Sequence, residues 1–160
     1  MIADQNSVAY RCESEQLLLV YTENALTVGR EPAPAAASRA HRLEPVQDIP
    51  GAAAGSTPSV HYIVWTDVTP GWEPEVDRWY GTEHLPALAA VPGTVRARRF
   101  IQHGSGPRSY ACYDLVSQDV VASAPWLQVR ATDWSRRIRP QFINTRRWYT
   151  TPLAVPVAES

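Results

Sequence analysis

A strand-like segment runs directly into a helix-like one near the middle of the chain. VHYIVWTDV (60–68) is rich in β-branched and aromatic residues, and TPGW then supplies turn chemistry. In EPEVDRWYGTEHLPALAAV (73–91), Pro74 suits a first helical turn, and the acidic residues around it suit the positive end of a helix dipole. Four residues at a spacing of four share one face of this helix: Val76, Tyr80, His84 and Leu88. The pattern predicts a strand and an amphipathic helix that breaks or kinks at Pro86.

The chain after this helix continues to alternate between strands and helices. GTVRARRFIQH (93–103) and RSYACYDLV (108–116) are predicted strands that the turn GSGP joins. SQDVVASAPWLQVRATDWSRRIRPQF (117–142) has mixed helical character interrupted by prolines, and INTRRWYTT (143–151) is a last predicted strand. The resulting order is β-α-β-β-α-β, which is the split-βαβ or ferredoxin-like pattern of an α+β fold.

The N-terminal region carries a weaker pattern. Its predicted strands are QLLLVYTE (16–23) and AHRLEPV (40–46), so we expect two strands at most. GREPAPAAAS (29–38) and QDIPGAAAGSTPS (47–59) are rich in Pro, Ala, Gly and Ser. Because this composition buries little apolar surface, both segments are predicted to be flexible linkers.

The predicted division of the chain is an N-terminal extension (1–59), an α+β barrel domain (60–152) and a C-terminal tail (153–160). A four-stranded antiparallel sheet with both helices on one face leaves its other face bare, and an apolar face of that size needs a cover. Either a second chain or the extension could supply it. Because the extension has too few predicted strands, we expect a homodimer whose sheets pack face to face.

Charge and composition restrict the kind of partner. The formal net charge is -1 and charged residues make up 19% of the 160 residues, so no strong field is available to recruit nucleic acid or an anionic membrane. RRIRP (136–140) and TRRWY (145–149) are interpreted as ordinary solvated surface for the same reason. The expected partner is a small organic molecule, neutral or weakly anionic.

The sequence also excludes several kinds of chemistry. It contains no lysine, which excludes Schiff-base catalysis and lysine-bound pyridoxal phosphate. It has no Gly-rich phosphate loop, serine nucleophile elbow or HExxH spacing, and Cys12 and Cys112 lack the spacing of a zinc site. We therefore predict no metal and no cofactor. The N-terminus lacks a basic signal-peptide region and no apolar run approaches ~18 residues, so a cytoplasmic protein without membrane contact is expected.

Residues 60–150 resemble the dimeric α+β barrel superfamily, and most of all its EthD-like members. In that family the first helix carries an aromatic-rich segment that ends in His-x-Pro or Glu-His-x-Pro and is followed by Pro-Gly and a strand. Here the segment stands as WYGTEHLP (79–86), followed by VPGTVRARRF (91–100). The resemblance implies a ferredoxin-like unit that forms a dimeric α+β barrel, with an N-terminal extension of about two strands. Since some relatives repeat the unit within one chain, the extension resembles a degenerate half-repeat that has lost its helices.

His84 is the leading candidate for a catalytic residue. A neutral imidazole can remove or return a proton at a carbonyl-activated carbon, and we expect this one to project toward the barrel mouth. The alternative is a helix-capping histidine that bonds a free carbonyl or Glu83. Tyr80 lies one turn earlier on the same face, where it would either donate a hydrogen bond to the substrate or pack with its hydroxyl at the rim. Trp79 is a candidate pocket wall or a core anchor.

Two strands supply further candidate substrate-binding residues. Alternation along the first strand of the α+β unit places His61 and Trp65 on the face opposite to the helices, inside the barrel. In RARR, alternation gives Arg96 and Arg98 one face and Arg99 the other. If Arg99 faces a cavity, its guanidinium could hold a carboxylate or a phenolate through two hydrogen bonds, and otherwise the run is a solvated edge.

The resemblance implies a cofactor-independent enzyme of secondary metabolism that uses acid/base chemistry on a small polyketide-like or aromatic substrate. The reaction would be a cyclisation, dehydration or isomerisation, with His84 as base and Tyr80 as hydrogen-bond donor. One alternative is a cofactor-free monooxygenase that oxidises an electron-rich phenol to a quinone. Another is a non-catalytic ligand-binding or accessory protein, in which WYGTEHLP only shapes the dimer.

Overall fold

The computed structural model describes residues 8–12, 17–22, 25–30, 41–104 and 107–152. The strands among them are β1 (Val8–Cys12), β2 (Leu17–Thr22), β3 (Ala25–Arg30), β4 (His41–Pro50), β5 (Val60–Val68), β6 (Thr94–Ile101), β7 (Ser109–Leu115) and β8 (Phe142–Pro152). They form a closed barrel in the order β1-β2-β3-β4-β6-β7-β5-β8, and all neighbours are antiparallel. Closure satisfies the strand edges that an open sheet would leave unpaired.

The second half of the barrel is the predicted α+β unit. Two helical connections join its strands. The connection between β5 and β6 consists of α1 (Glu73–Trp79), a π-helical turn (Tyr80–His84) and α2 (Leu85–Ala89). The connection between β7 and β8 consists of a 3-10 helix (Gln118–Ala122), α3 (Ala124–Val129), α4 (Asp133–Ile138) and a second 3-10 helix (Arg139–Gln141). Both connections pack on the outer face of the barrel. The predicted α+β class and the β-α-β-β-α-β order are confirmed.

The helix does not break at Pro86, which was one of the two outcomes predicted from the sequence; the other outcome, a kink, stays a prediction. The amide of Leu85 donates to the carbonyl of Tyr80, which is five residues earlier, so the backbone widens by one residue just before the proline. A wide turn leaves room for a proline ring and needs no amide hydrogen from Pro86. The helix therefore continues through α2, and the wide turn is the segment that carries Tyr80 and His84.

The described part of the N-terminal region contains four strands, so the prediction of about two was too low. β1 pairs with β8, and β4 pairs with β6, so the four strands bridge the two edges of the α+β unit. The missed strands, VAYRC and ALTVGR, are short and interrupted by polar residues. That pattern suits a barrel strand with one buried face, but it lacks the continuous apolar run that identified QLLLVYTE.

The barrel interior holds a core to which both halves contribute. Its buried members are Leu19, Leu26, Leu43, Ile63, Phe100, Tyr110, Cys112 and Trp148, with Trp65 packed against them. The first three come from β2, β3 and β4. The sheet face that a second copy was expected to cover is thus covered within the chain, which removes the reason given for a homodimer, and the homodimer itself stays a prediction.

Residues 47–59 do not form the predicted flexible linker. β4 extends through Pro50, and the amides of Gly51 and Ala52 donate to the carbonyls of Val95 and Ala89, each at 2.8 Å. A Cβ on Gly51 would lie 2.0 Å from the carbonyl oxygen of Thr94, so only glycine fits this close approach. The other predicted linker and the C-terminal tail lie mostly or wholly outside the described residues. Within the described residues no helix is long and apolar enough to cross a membrane.

Candidate functional site

A pocket of about 30 Å³ lies between the helices and the outer face of the sheet. It is lined by aromatic and apolar side chains, one histidine and three arginines: Tyr62, Val64, Trp79, Tyr80, His84, Leu88, Tyr113, Trp126, Arg130, Arg139, Phe142 and Arg147. The volume admits two or three water molecules or one small polar group. The pocket is separate from the barrel interior, because the sheet lies between them.

His84 occupies the end of the π-helical turn and faces this pocket. Its side chain is buried, and its ring stacks on the indole of Trp79 with a centroid distance of 3.9 Å. The ring of Tyr80 meets it edge-on at 5.5 Å. Nδ1 of His84 is buried and has no hydrogen-bond partner in the described part of the chain. The imidazole therefore neither caps the helix nor bonds Glu83, because Glu83 accepts a hydrogen bond from Thr132 instead. The imidazole does not reach the barrel interior either.

The surroundings of His84 keep its imidazole neutral. Burial is the main cause, and the nearby guanidinium groups of Arg130 and Arg139 act in the same direction, so that the pKa is lowered from 6.5 to about 3. Both effects penalise the imidazolium, because a cation loses hydration in the pocket and is repelled by two others. The neutral ring keeps one nitrogen that can accept a hydrogen bond at any physiological pH, although the low pKa makes it a weak base.

Tyr80 supplies a hydroxyl to the same pocket. The residue is 2% exposed, and burial raises the pKa of its phenol to about 12 despite the opposing effect of Arg99. The phenol therefore stays protonated and can act as a hydrogen-bond donor. No hydrogen bond of this hydroxyl is present within the described residues.

Three arginines close one side of the pocket without a matching carboxylate. Arg130 ends α3, Arg139 begins the second 3-10 helix, and Arg147 lies on β8. None of them forms an ion pair with a described acidic residue, and the described lining contains no Asp or Glu. Burial, followed by repulsion from Arg130 and Arg147, lowers the pKa of Arg139. The pocket thus concentrates positive charge that its own residues do not compensate.

Arg99 lies behind Tyr80 rather than in the pocket. Its guanidinium packs 4.4 Å from the centre of the Tyr80 ring and donates to Asp77 at 2.6 Å and to Ser109 at 3.3 Å. Arg108 donates to both carboxylate oxygens of Asp77. Arg99 is therefore matched with a carboxylate and positions Tyr80, and substrate binding by Arg99 stays a prediction that this placement does not favour.

His61 and Trp65 lie inside the barrel, on the face that the alternation predicted. Nδ1 of His61 is 2.7 Å from Asp114 Oδ1, and Arg98 donates to the other oxygen of Asp114 at 3.0 Å. Burial lowers the pKa of His61, while Asp114 opposes the change. Trp65 packs on Trp148 and Tyr110. The sheet therefore separates these two residues from His84, Tyr80 and Trp79, which the structure brings together in the pocket.

The three pocket arginines were not singled out by the sequence. Arg139 and Arg147 belong to RRIRP and TRRWY, which were interpreted as surface, while Arg130 is a lone arginine at the end of a helix. Their one sequence signal is position, since Arg139 precedes a proline that ends a helix and Arg147 precedes an aromatic pair on the last strand. No group of three or more potential metal ligands occurs among the described residues.

Comparison with known proteins identifies the fold alone. No family model matches the chain, and no curated protein matches it in sequence. The structure is similar to that of a proposed monooxygenase from Lactobacillus acidophilus NCFM, with a TM-score of 0.51 and 9% identity over 72% of this chain. This chain spans 53% of that protein's length. A major regulator of staphylococcal pathogenesis gives a TM-score of 0.53 at 10% identity, covering 88% of this chain and 87% of the regulator.

Identities this low show a shared fold and say nothing about shared chemistry. The two similar structures agree with the predicted α+β barrel. Membership of the EthD-like group stays a prediction.

Proposed function

We propose that the protein is a cofactor-independent enzyme that uses acid/base chemistry on a small aromatic or polyketide-like substrate in the pocket between helices and sheet. The observation that supports this is the pairing of a buried imidazole, whose Nδ1 has no partner in the described residues, with a buried phenol on the same wide turn. A buried polar atom without a hydrogen-bond partner costs stability, so its presence in a pocket favours a role in binding or chemistry.

The proposed step is a proton transfer from a carbon next to a carbonyl. A ring nitrogen of His84 accepts the proton, and the electron pair of the C–H bond moves onto the carbonyl oxygen to give an enolate. The hydroxyl of Tyr80 donates a hydrogen bond to that oxygen. The proton then returns to carbon, which yields an isomerisation, or passes to a leaving hydroxide, which yields a dehydration and water. In a cyclisation the enolate carbon attacks a second carbonyl of the same molecule, and the alkoxide that forms takes the proton from His84.

The aromatic wall suits such substrates. Trp79, Tyr113 and Trp126 are buried, and all three line the pocket. Flat, conjugated molecules gain dispersion and stacking energy on such a wall. The small volume means that a substrate of aromatic size enters only when side chains at the more exposed arginine side move outward.

Turnover of candidate substrates tests the proposal. His84→Gln keeps a polar side chain of similar size but cannot cycle a proton, so we expect it to retain fold and ligand binding while turnover falls by ~10²-fold or more. Tyr80→Phe removes one hydrogen bond and should cost on the order of 1 to 2 kcal/mol in the transition state. Unchanged turnover in His84→Gln would contradict the acid/base mechanism and favour a non-catalytic binding protein.

A cofactor-free monooxygenase is the second candidate. Its support is the tryptophan-rich pocket wall together with a fold that is similar to that of a proposed monooxygenase. In this reaction a phenol and O2 give a quinone and water, and the phenol supplies the electrons. Consumption of oxygen in step with substrate would favour this reaction, and turnover without oxygen would favour the acid/base reaction.

A further inference from the structure

The charge of the pocket lining points to the class of molecule that it takes. Elsewhere in the described structure, buried or half-buried arginines sit beside carboxylates, as Arg99 and Arg108 sit beside Asp77. Arg130, Arg139 and Arg147 converge on one pocket whose described lining contains no acidic residue. Bringing three guanidinium groups together is unfavourable, and burial, followed by repulsion from Arg130 and Arg147, lowers the pKa of Arg139. An anion that bound among these three groups would relieve their repulsion.

We infer that the pocket binds an organic anion, a carboxylate or an enolate on an aromatic or conjugated body, which Arg130, Arg139 and Arg147 hold by charge-assisted hydrogen bonds. Guanidinium groups match the planar oxygen pairs of carboxylates. The buried aromatic residues Trp79 and Trp126 provide the surface for the body of the molecule, whereas the arginines are more exposed and lie toward solvent. The cavity of about 30 Å³ has room for one small polar group before any side chain moves.

This inference rests on the proposed function, and it adds a condition to it. Burial and the charges of Arg130 and Arg139 hold the pKa of His84 at about 3, which makes the imidazole a weak proton acceptor. A bound anion offsets the charges of Arg130 and Arg139, and an opposite charge nearby raises a histidine pKa. The titratable groups that share the pocket with His84 are Tyr62, Tyr80, Tyr113, Arg130, Arg139 and Arg147. None of these side chains carries a negative charge at neutral pH, so the negative charge must come from the ligand or from outside the described lining.

Binding of benzoate and of benzamide tests the charge preference, because the two have nearly the same shape and differ in charge. Tryptophan fluorescence reports occupancy, and the imidazole NMR signal of His84, assigned with His84→Gln, reports its pKa. We expect benzoate to bind at least ~10-fold more tightly than benzamide and to raise the pKa of His84. Equal affinities for the two, or no saturable binding of benzoate, would overturn the inference.

Variants of the arginines locate the site. Arg139→Gln and the more exposed Arg147→Gln should each weaken benzoate binding by about tenfold. Arg136→Gln is the matched control, since Arg136 lies on α4 close in sequence but pairs with Asp133 on the surface, and it should bind benzoate like the wild type. If Arg139→Gln does not fold, Arg147→Gln still decides the question. Wild-type affinity in both pocket variants would overturn the inference.

The outcomes separate this inference from the proposed function. If benzoate binds as expected but His84→Gln keeps full turnover, the anion site stands and the acid/base mechanism fails. The opposite outcome has two parts. His84→Gln loses turnover, but neutral and anionic substrates react equally fast, both in the wild type and in Arg139→Gln. The mechanism then stands and the anion site fails.

Discussion

The imidazole of His84 lies almost parallel to the indole of Trp79, with ring centroids 3.9 Å apart and planes inclined by 19°. The π-helical turn produces this arrangement, because the residue that it adds before Pro86 rotates His84 onto the same side as Trp79 and Tyr80. Burial against the indole removes water from the ring, which is the main reason why the imidazole stays neutral.

A neutral buried His84 makes the protein less stable in mild acid. The folded-state pKa of about 3 lies below the unfolded value of 6.5, so the unfolded chain binds more protons between these values. The free energy of unfolding therefore falls as pH drops through this range, and His84 accounts for about 2 kcal/mol of the loss between pH 7 and pH 5. Urea unfolding at pH 7 and pH 5 measures this change. Between the two pH values, His84→Gln should lose about 2 kcal/mol less free energy of unfolding than the wild type. Equal losses in the two proteins would mean that His84 is hydrated in the folded state.

The N-terminal strands belong to the core, and substitutions on β4 test this. Leu43 is 1% exposed and packs inside the barrel, so Leu43→Ala should lower the free energy of unfolding by about 2 to 5 kcal/mol. Val46 lies on the same strand but is 44% exposed, so Val46→Ala should change the free energy of unfolding by less than about 0.5 kcal/mol. A negligible effect of Leu43→Ala in urea unfolding would show that the barrel is not closed by these strands.

The carboxylate of Asp114 contacts two buried groups inside the barrel. Asp114→Asn keeps the shape but removes the negative charge that faces both Arg98 and His61. We expect the variant to lose about 3 to 5 kcal/mol, because breaking a buried ion pair leaves a desolvated charge. Asp133→Asn is the control, since Asp133 pairs with Arg136 on the surface and should leave thermal and urea unfolding unchanged. Similar stabilities of the two variants would show that water reaches Asp114.

Two glycines should respond in opposite ways to alanine. Gly51→Ala places a Cβ against the backbone of Thr94 and should cost at least about 3 kcal/mol. Gly81→Ala lies in the exposed part of the π-helical turn with open space around the added Cβ, and it should gain up to about 1 kcal/mol. Thermal unfolding of both variants provides the comparison, and an unchanged melting temperature in Gly51→Ala would place residues 47–59 in a loosely packed loop after all.

The sequence predicts local structure well where one periodic pattern dominates a segment. β5 has the predicted bounds, and the four-residue spacing of Tyr80 and His84 correctly indicates that they share a face. It does not predict the wide turn that carries the helix through Pro86, because that turn depends on packing against the sheet. It also misses β1 and β3, whose short alternating segments become strands only when their neighbours complete the barrel.

The candidate site shows the same limit. His84, Tyr80 and Trp79 are close in sequence, so a local pattern could bring them together. Arg130, Arg139 and Arg147 come from α3, a 3-10 helix and β8, and only the packing of that second connection onto the sheet places them in one pocket. Tertiary proximity of this kind leaves no periodic signal in one sequence.

The most direct test of the account is the exchange of an activated carbon-bound proton with solvent. Benzoylacetate carries an aromatic ring, a ketone, a carboxylate and a methylene group between the last two, and NMR in heavy water follows the loss of its methylene signal. We predict that the wild-type protein exchanges the methylene protons well above the buffer rate. His84→Gln should exchange them at least ~10²-fold more slowly than the wild type. Exchange at the same rate in both proteins, or at the buffer rate with benzoylacetate bound to the wild type, would contradict the assignment of His84 as the proton acceptor.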